Sequence, residues 1–283
     1  MITRRSMLVG SIATLASRPL LAARESMPTV FYGHGGPWLG ADQVRGRELL
    51  TMAQRLPRSP SGIVAFTPHV RARQITLAST GIARWSFPRR FRKSVGDLRY
   101  HPPRAEVLAS QVYAVLKDAK FAYSTDEHKG FNHTIWTGLL HLFPAADIPV
   151  VEVAMPFESS ARLFELGQAL APLRANDTLI VSSGTVTHNL GTFGHFEKPP
   201  SWAADYDSWT ADTIARNDID SLIDWRKKAP ASNIAHPDDG AHFNVMMFAL
   251  GAAVGRGSGL SWSRTMHEGF GSSTFSERGF LFA

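Results

Sequence analysis

The hydrophobic and polar positions along the chain follow two alternating spacings. Short apolar runs rich in Val, Ile, Thr and Phe predict strands, and they cover residues 28–33, 62–67, 74–79, 148–155 and 178–183. Longer stretches with apolar residues three and four positions apart predict helices, and they cover residues 47–55, 104–120, 135–142, 161–174, 205–225 and 241–254. Strands that alternate with helices favour a sheet covered on both faces. The sequence therefore predicts a single α/β domain with a mostly parallel central sheet flanked by helices.

Histidines occur at the same end of several predicted elements. Three follow strand runs directly and one opens the last predicted helix, and these are His34, His69, His188 and His242. In open α/β sheets, ligands bind beyond the carboxyl ends of the strands. Imidazoles that converge there are typical of a metal site. We therefore expect one cleft, and one metal site, at the C-terminal ends of the strands.

The histidines of the chain also have purely structural interpretations. The glycines from Gly33 to Gly36 allow tight turning and close backbone approach, which suits a metal site but also suits an ordinary turn that contains His34. His133 precedes a predicted helix, whose N-terminus disfavours a protonated imidazole and keeps a neutral one available for proton transfer. A capping or packing role for His133 stays open. The remaining histidines are interpreted as core or loop residues, although His236 lies near Asp238 and Asp239 and could be a ligand.

Composition and charge exclude several classes of function. The chain of 283 residues has a formal net charge of +6 and no cysteine, so disulfides and thiolate metal sites are excluded. Residues 1–23 contain three arginines and no acid, which leaves +3 (6 minus 3) for the remainder. The basic cluster at residues 89–93 is either a solvated face or an entrance for an anionic substrate. No nucleic-acid-binding motif is present, and no oligomeric state is indicated.

The N-terminal segment predicts export. Arg4 and Arg5 precede a modest apolar region and then small residues up to Ala23, a pattern that resembles a twin-arginine signal. Arg18 and Pro19 interrupt the apolar region, so it is too short to span a bilayer stably. We therefore expect a signal segment at residues 1–25, a catalytic domain at residues 26–283 and a periplasmic location. An amphipathic N-terminal helix on a cytoplasmic protein is the alternative.

With these residues in place, the chain resembles the class III extradiol ring-cleavage dioxygenases, specifically the 4,5-dihydroxyphenylalanine (DOPA) extradiol dioxygenase-like group. The resemblance runs from about residue 28 to the C-terminus. The motifs that carry it, with the family's form in parentheses, are Gly33-His34-Gly35-Gly36-Pro37 (Gly-His-Gly-Ser-Pro), Thr67-Pro68-His69-Val70 (Ser-Ala-His-Trp), residues 130–136 (Gly-Phe-Asp-His-Gly-Ser-Trp), residues 143–150 and 183–190, and Ala241-His242-Phe243 (Glu-His-Tyr).

The resemblance implies a function and a role for each histidine. It implies that a catechol-type (DOPA-like) aromatic diol is opened by O2 at one divalent metal ion, Fe(II) for dioxygenase activity or Zn(II) as found in relatives. His34, His69 and His242 would hold the metal. His188 would be a further metal ligand or the catalytic acid/base, and His133 would touch substrate or bound oxygen.

Three departures from the family motifs concern the site. Ala241 replaces the acid beside His242, so that position supplies no carboxylate ligand. Gly36 lacks a hydroxyl, and Val70 replaces an aromatic residue that would form a wall of the substrate pocket. Two alternatives remain: a zinc-dependent hydrolase or zinc-binding protein without oxygenase activity, and a non-enzymatic binding protein on the same scaffold.

Overall fold

A computed structural model describes residues 25–85, 97–125, 130–155 and 158–283. Most of the predicted export segment, the basic cluster at 89–93 and His128 lie outside these ranges. Within them, no helix is both long enough and apolar enough to cross a membrane.

The described strands are β1 (Thr29–Gly33), β2 (Gly62–Arg71), β3 (Thr76–Ala78), β4 (Ala83–Arg84), β5 (Phe131–Asn132), β6 (Val150–Met155), β7 (Thr178–Gly184), β8 (Ser263–His267), β9 (Phe270–Gly271), β10 (Phe275–Ser276) and β11 (Gly279–Phe282). Seven of them form one sheet in the order β3-β6-β2-β7-β1-β11-β8. Strands β4 and β5 form one short ladder, and β9 and β10 form another.

The four central strands are parallel and the edges are antiparallel. Strands β6, β2, β7 and β1 run in one direction, with Val64 paired to both Val151 and Ile180. Strand β3 pairs antiparallel with β6 at one edge. At the other edge β11 pairs antiparallel with β1, and β8 pairs antiparallel with β11. The predicted α/β class and parallel core are confirmed. The C-terminal strands were not predicted, because β8 is half exposed and lacks the apolar run of a buried strand.

The helices cover both faces of the sheet. They are α1 (Gln43–Gln54), α2 (Glu106–Asp118), α3 (His133–Leu142), α4 (Ser160–Leu170), α5 (Ser201–Ala215), α6 (Ile219–Ile223), α7 (Trp225–Lys228), α8 (Ser232–Ala235) and α9 (Ala241–Val254). The helix predicted at 205–225 is interrupted, because Asn217 adopts a left-handed conformation (φ 58°) and the Asp218 side chain caps the next helix. The helix predicted at 161–174 ends at Leu170 and continues as a 3-10 turn.

Helix α9 is apolar on all sides and almost wholly buried, as expected for a helix in the middle of a core. It lies very close to α4. A Cβ at Gly251 would lie 2.0 Å from the Phe164 carbonyl oxygen, and one at Gly167 would lie 2.1 Å from that of Phe248. This close packing fixes the position of α9, whose first turn carries His242.

Candidate metal centre

The side chains of three histidines meet at the carboxyl ends of the central strands. The Nε2 atom of His69 lies 3.3 Å from Nε2 of His34 and 3.1 Å from Nε2 of His242. One ring nitrogen from each of the three lies within 4.8 Å of the other two. An ion bonded to imidazole nitrogens at about 2.0–2.1 Å holds neighbouring ligand atoms roughly 3 Å apart. The spacing and the all-nitrogen donor set therefore fit a divalent metal ion.

A glycine-dependent turn places His34 beyond β1. The His34 backbone N–H donates to the Gly184 carbonyl (2.9 Å) and so continues the pairing of β1 with β7. Gly35 then adopts a positive φ of 59°, and a Cβ there would lie 1.7 Å from Oε1 of Glu277. The turn that directs His34 into the cleft therefore requires glycine at position 35.

An irregularity in β2 places His69. The strand prediction ended at residue 67, but β2 continues to Arg71 and shifts its register against β6 between Phe66 and Arg71. Such irregularities redirect side chains near active sites. His69 therefore lies within the distal part of a strand rather than in the turn that follows it.

Helix α9 approaches the sheet closely enough to bring in His242. A Cβ at Gly184 would lie 2.1 Å from the His242 carbonyl oxygen, which also accepts a hydrogen bond from the Thr185 N–H (3.1 Å). The carboxylates of Asp238 and Asp239 accept from the N–H groups of Gly240 and Ala241 at the start of the helix. These contacts anchor the helix start on the end of β7.

Ser183 fixes the tautomer of His34. The Ser183 hydroxyl donates to the Thr134 carbonyl (3.1 Å), and its oxygen lies 3.0 Å from Nδ1 of His34. With the serine proton donated to Thr134, the serine oxygen accepts the Nδ1 proton of His34, and this is the tautomer that we assign. Its Nε2 lone pair then faces the other two imidazoles, the tautomer that a metal ligand requires.

His188 stacks on His242 instead of meeting it edge to edge. The ring centroids are 3.6 Å apart and the planes differ by 8°. On the other side of His188, Nδ1 lies 3.5 Å from Oδ2 of Asp238. The His188 side chain and the Gly240 N–H hold the pKa of Asp238 at about 2, so this carboxylate is ionised at neutral pH.

Asp238 is a site residue that the sequence interpretation missed. In the sequence it is one of two acids near His236, and no local spacing distinguishes it from the adjacent Asp239. In the structure Asp239 forms an exposed ion pair with Arg71 (2.9 Å), whereas Asp238 faces His188. The path of this loop therefore decides which of the two carboxylates lies beside His188.

His133 is buried beside the three converging histidines. Its ring centroid lies 5.8 Å from that of His69 and 6.2 Å from that of Trp85. It is the first residue of α3, and Asn132 caps that helix by accepting from the Thr134 N–H (3.0 Å). The buried Glu152 in turn accepts from the Asn132 N–H (2.9 Å), and burial raises the pKa of Glu152 to about 8.

Burial disfavours the charged form of three of the site imidazoles. Loss of hydration, together with the neighbouring imidazoles, lowers the pKa of His34 and of His242 well below the usual value. The same two causes lower the pKa of His133 to about 3. Neutral imidazoles offer a lone pair to a metal ion.

All five histidines assigned to the site from the sequence line one cavity of about 440 Å³. The described residues that line it are His34, Gly35, Gly36, Trp38, His69, His133, Thr134, His188, Leu190, Phe193, His242 and Phe275. Val70, which replaces the aromatic residue of the family motif, lines a separate small cavity and is not among the residues that line this one.

Comparison with known proteins decides the family. Residues 47–277 match the family described as the catalytic LigB subunit of aromatic ring-opening dioxygenase. The chain belongs to this family. The match covers more than half of the chain and includes His69, His133, His188 and His242, whereas His34 lies before it.

Two named relatives of this dioxygenase and one solved structure support the family assignment. The chain is 28% identical over 233 residues to the 4,5-DOPA dioxygenase extradiol of Beta vulgaris, covering 80% of this chain and 86% of the relative. It is 27% identical to the protein of that name from Escherichia coli, covering 84% and 90%. An uncharacterized protein of Escherichia coli K12 shares the fold with a TM-score of 0.75 at 25% identity, over 91% of this chain and all of that one. The chain is thus an extradiol aromatic ring-opening dioxygenase, and the predicted resemblance is confirmed.

Two other histidines in this dioxygenase have structural partners. Nε2 of His236 lies 2.8 Å from the Val186 carbonyl oxygen in a fully buried position, and Nε2 of His141 lies 2.9 Å from that of Leu39. Neither lines the cavity. His236, left open as a ligand by the sequence, therefore supports the loop that carries His188.

Proposed function

We propose that this dioxygenase opens the ring of a catechol-type (DOPA-like) substrate with O2, at a divalent metal held by His34, His69 and His242. The observation that carries the proposal is the convergence of three Nε2 atoms, 3.1 and 3.3 Å apart, in the cavity. The metal, when bound, supplies a Lewis acid that lowers the pKa values of the catechol hydroxyls and open positions for substrate and O2.

We infer that Fe(II) is the active metal, because dioxygenase chemistry is typical of Fe(II) at three facial protein ligands. Imidazole sites take Zn(II) at least as strongly. A zinc-loaded protein is therefore the expected inactive form rather than evidence for a different reaction.

His188 is assigned as the acid/base rather than as a metal ligand. The lone pair of an imidazole nitrogen lies in the plane of its ring, so an ion bound by two imidazoles must lie in both planes. The rings of His188 and His242 are nearly parallel and 3.6 Å apart, so their planes share no point near the site. Asp238 favours the proton on Nδ1 of His188, which leaves Nε2 to accept a proton from a substrate hydroxyl.

His133 is assigned to the reacting oxygen atoms. Its neutral ring lies beside His69 and not among the three converging nitrogens. A neutral imidazole with one N–H can donate to an oxygen on which negative charge develops.

Oxygen uptake tests the proposal. Protein reconstituted with Fe(II) without air should consume O2 with catechol or DOPA and form a yellow ring-fission product. The Zn(II)-loaded protein and the His34→Ala variant are the controls and should do neither. No uptake by wild-type protein shown to contain iron would refute the proposal.

Export is a separate proposal that rests on Arg4 and Arg5. We propose that the full chain reaches the periplasm by the twin-arginine route, which carries folded proteins. Changing both arginines to lysine should retain the protein in the cytoplasmic fraction. Unchanged fractionation would contradict this route.

A further inference from the structure

A ladder of aromatic rings leads from the three converging histidines to the mouth of the cavity. His188 stacks on His242, and Phe275 stacks on His188 with centroids 5.0 Å apart. Phe193 lies 5.4 Å from Phe275, and Trp38 lies 6.1 Å from Phe193. These spacings are those of favourable aromatic contacts. One wall of the cavity is therefore continuous and apolar.

The outer part of this wall is exposed. The side chains of Leu190 and Phe193 line the cavity, yet 69% and 41% of their surfaces are accessible to solvent. Exposed apolar side chains at a cavity mouth are typical of a binding surface. Covering these side chains with an apolar group of a ligand removes apolar surface from water and so favours binding.

Gly36 and Trp38 are coupled in forming this wall. A Cβ at Gly36 would lie 2.3 Å from Cζ2 of Trp38. The serine of the family motif at this position would displace the indole from where it lies. The glycine at position 36 therefore leaves room for the Trp38 indole in the cavity.

Charge points to the same kind of ligand. None of the described lining residues is Arg, Lys, Asp or Glu, and the only titratable side chains among them are the five histidines. The carboxylate and ammonium of a catechol amino acid would find no partner of opposite charge on the described wall. Along this wall a charged group would therefore lose hydration without gaining an ion pair from these described residues.

We propose that the substrate is a catechol with an uncharged, ring-sized apolar substituent, which lies along Phe275, Phe193 and Trp38. The proposal rests on the proposed function, since the diol end must lie at the metal site. It differs from the amino-acid substrate that the names of the relatives imply. A single six-membered ring would leave most of the apolar wall uncovered.

Calorimetry with the Zn(II)-loaded protein tests this without turnover. The ligands are catechol, 4-phenylcatechol and DOPA. We expect 4-phenylcatechol to bind about tenfold more tightly than catechol, because the phenyl group covers exposed apolar surface. DOPA should bind no more tightly than catechol. Tighter binding of DOPA than of 4-phenylcatechol would overturn the proposal, as would equal binding of all three.

Matched variants test whether the aromatic wall causes the preference for 4-phenylcatechol over catechol. Phe193→Ala should reduce the advantage of 4-phenylcatechol over catechol about fivefold, and Gly36→Ser should reduce it through Trp38. Phe196 is the control: it is 40% exposed, lies in the same segment and is not among the lining residues, so Phe196→Ala should leave the preference unchanged. Equal effects of Phe193→Ala and Phe196→Ala would overturn the assignment of the wall.

Oxygen uptake separates this inference from the proposed function. Uptake with catechol by the iron-loaded protein, without preference for 4-phenylcatechol in binding, refutes the inference alone. Binding of 4-phenylcatechol that depends on Phe193, without uptake from any catechol, refutes the dioxygenase proposal and leaves the apolar ligand class standing.

Discussion

The imidazole of His188 lies 3.6 Å above that of His242, with the two planes only 8° from parallel. This relationship supports the two roles that we propose for the four strand-end and helix-start histidines. Ring nitrogens of His34, His69 and His242 lie within 4.8 Å of one another, whereas His188 packs on His242 and forms a second such group with His242 and Asp238. The two roles predict different effects of substitutions at His188 and at His34.

Replacing His188 by Gln should lower turnover by about 10²- to 10⁴-fold, the usual contribution of a general acid/base, and leave bound iron close to the wild-type amount. His34→Ala should lose both iron and turnover, because it removes one of the three proposed ligands. Metal analysis after gel filtration, together with oxygen uptake, measures the two losses. Equal losses of iron and turnover in His188→Gln would identify His188 as a ligand.

Asp238→Asn should lower kcat about 10-fold or more, because the ionised carboxylate no longer holds Nδ1 of His188 protonated. KM and iron content should change little. Asp239→Asn is the matched control, since Asp239 forms an exposed pair with Arg71 and contributes little. Steady-state oxygen uptake compares the two variants. A similar loss in both would assign Asp238 a role in the helix start alone.

Ser183→Ala should weaken metal binding about 10- to 100-fold, the usual effect of removing a residue that orients a ligand. The reason is that Ser183 accepts the Nδ1 proton of His34. Ser182→Ala provides the control, because Ser182 is equally buried and its hydroxyl has no hydrogen-bond partner among the described residues. Competition with a chelator measures both affinities. Unchanged affinity in Ser183→Ala would refute the tautomer assignment.

Acid should destabilise the metal-free protein through His236. Burial lowers the pKa of His236 to about 3, so below pH 6.5 the unfolded chain binds a proton at this residue that the folded chain does not. The contribution of neutral His236 to the free energy of unfolding therefore decreases as pH falls from 6.5 towards 3. Between pH 6.5 and 4.5, the free energy of unfolding should decrease by about 2 kcal/mol less in His236→Gln than in the wild type.

Urea unfolding at the two pH values measures this difference. His195→Gln is the control, since His195 is exposed. A pH dependence that is the same in His236→Gln and in wild type would show that His236 is protonated in the folded protein as well.

Local patterns were sufficient for the central fold. The apolar runs at residues 62–67 and 178–183 became adjacent parallel strands, because buried strands need uninterrupted apolar side chains whatever lies elsewhere in the chain. The histidines that follow such strands were expected at one edge of the sheet, since parallel strands end together. Patterns failed where the element was short or half exposed, as in β8 and β11.

The sequence by itself determined the α/β class, the family resemblance and the five histidines of the cavity. Only the tertiary structure decided which histidine stacks instead of converging, that Asp238 rather than Asp239 faces it, and that Trp38, Phe193 and Phe275 form one wall. Residue spacing specifies which side chains share a strand or a helix face. It does not specify how closely two distant segments approach, and that depends on strand order and on glycines such as Gly184 that let backbones touch.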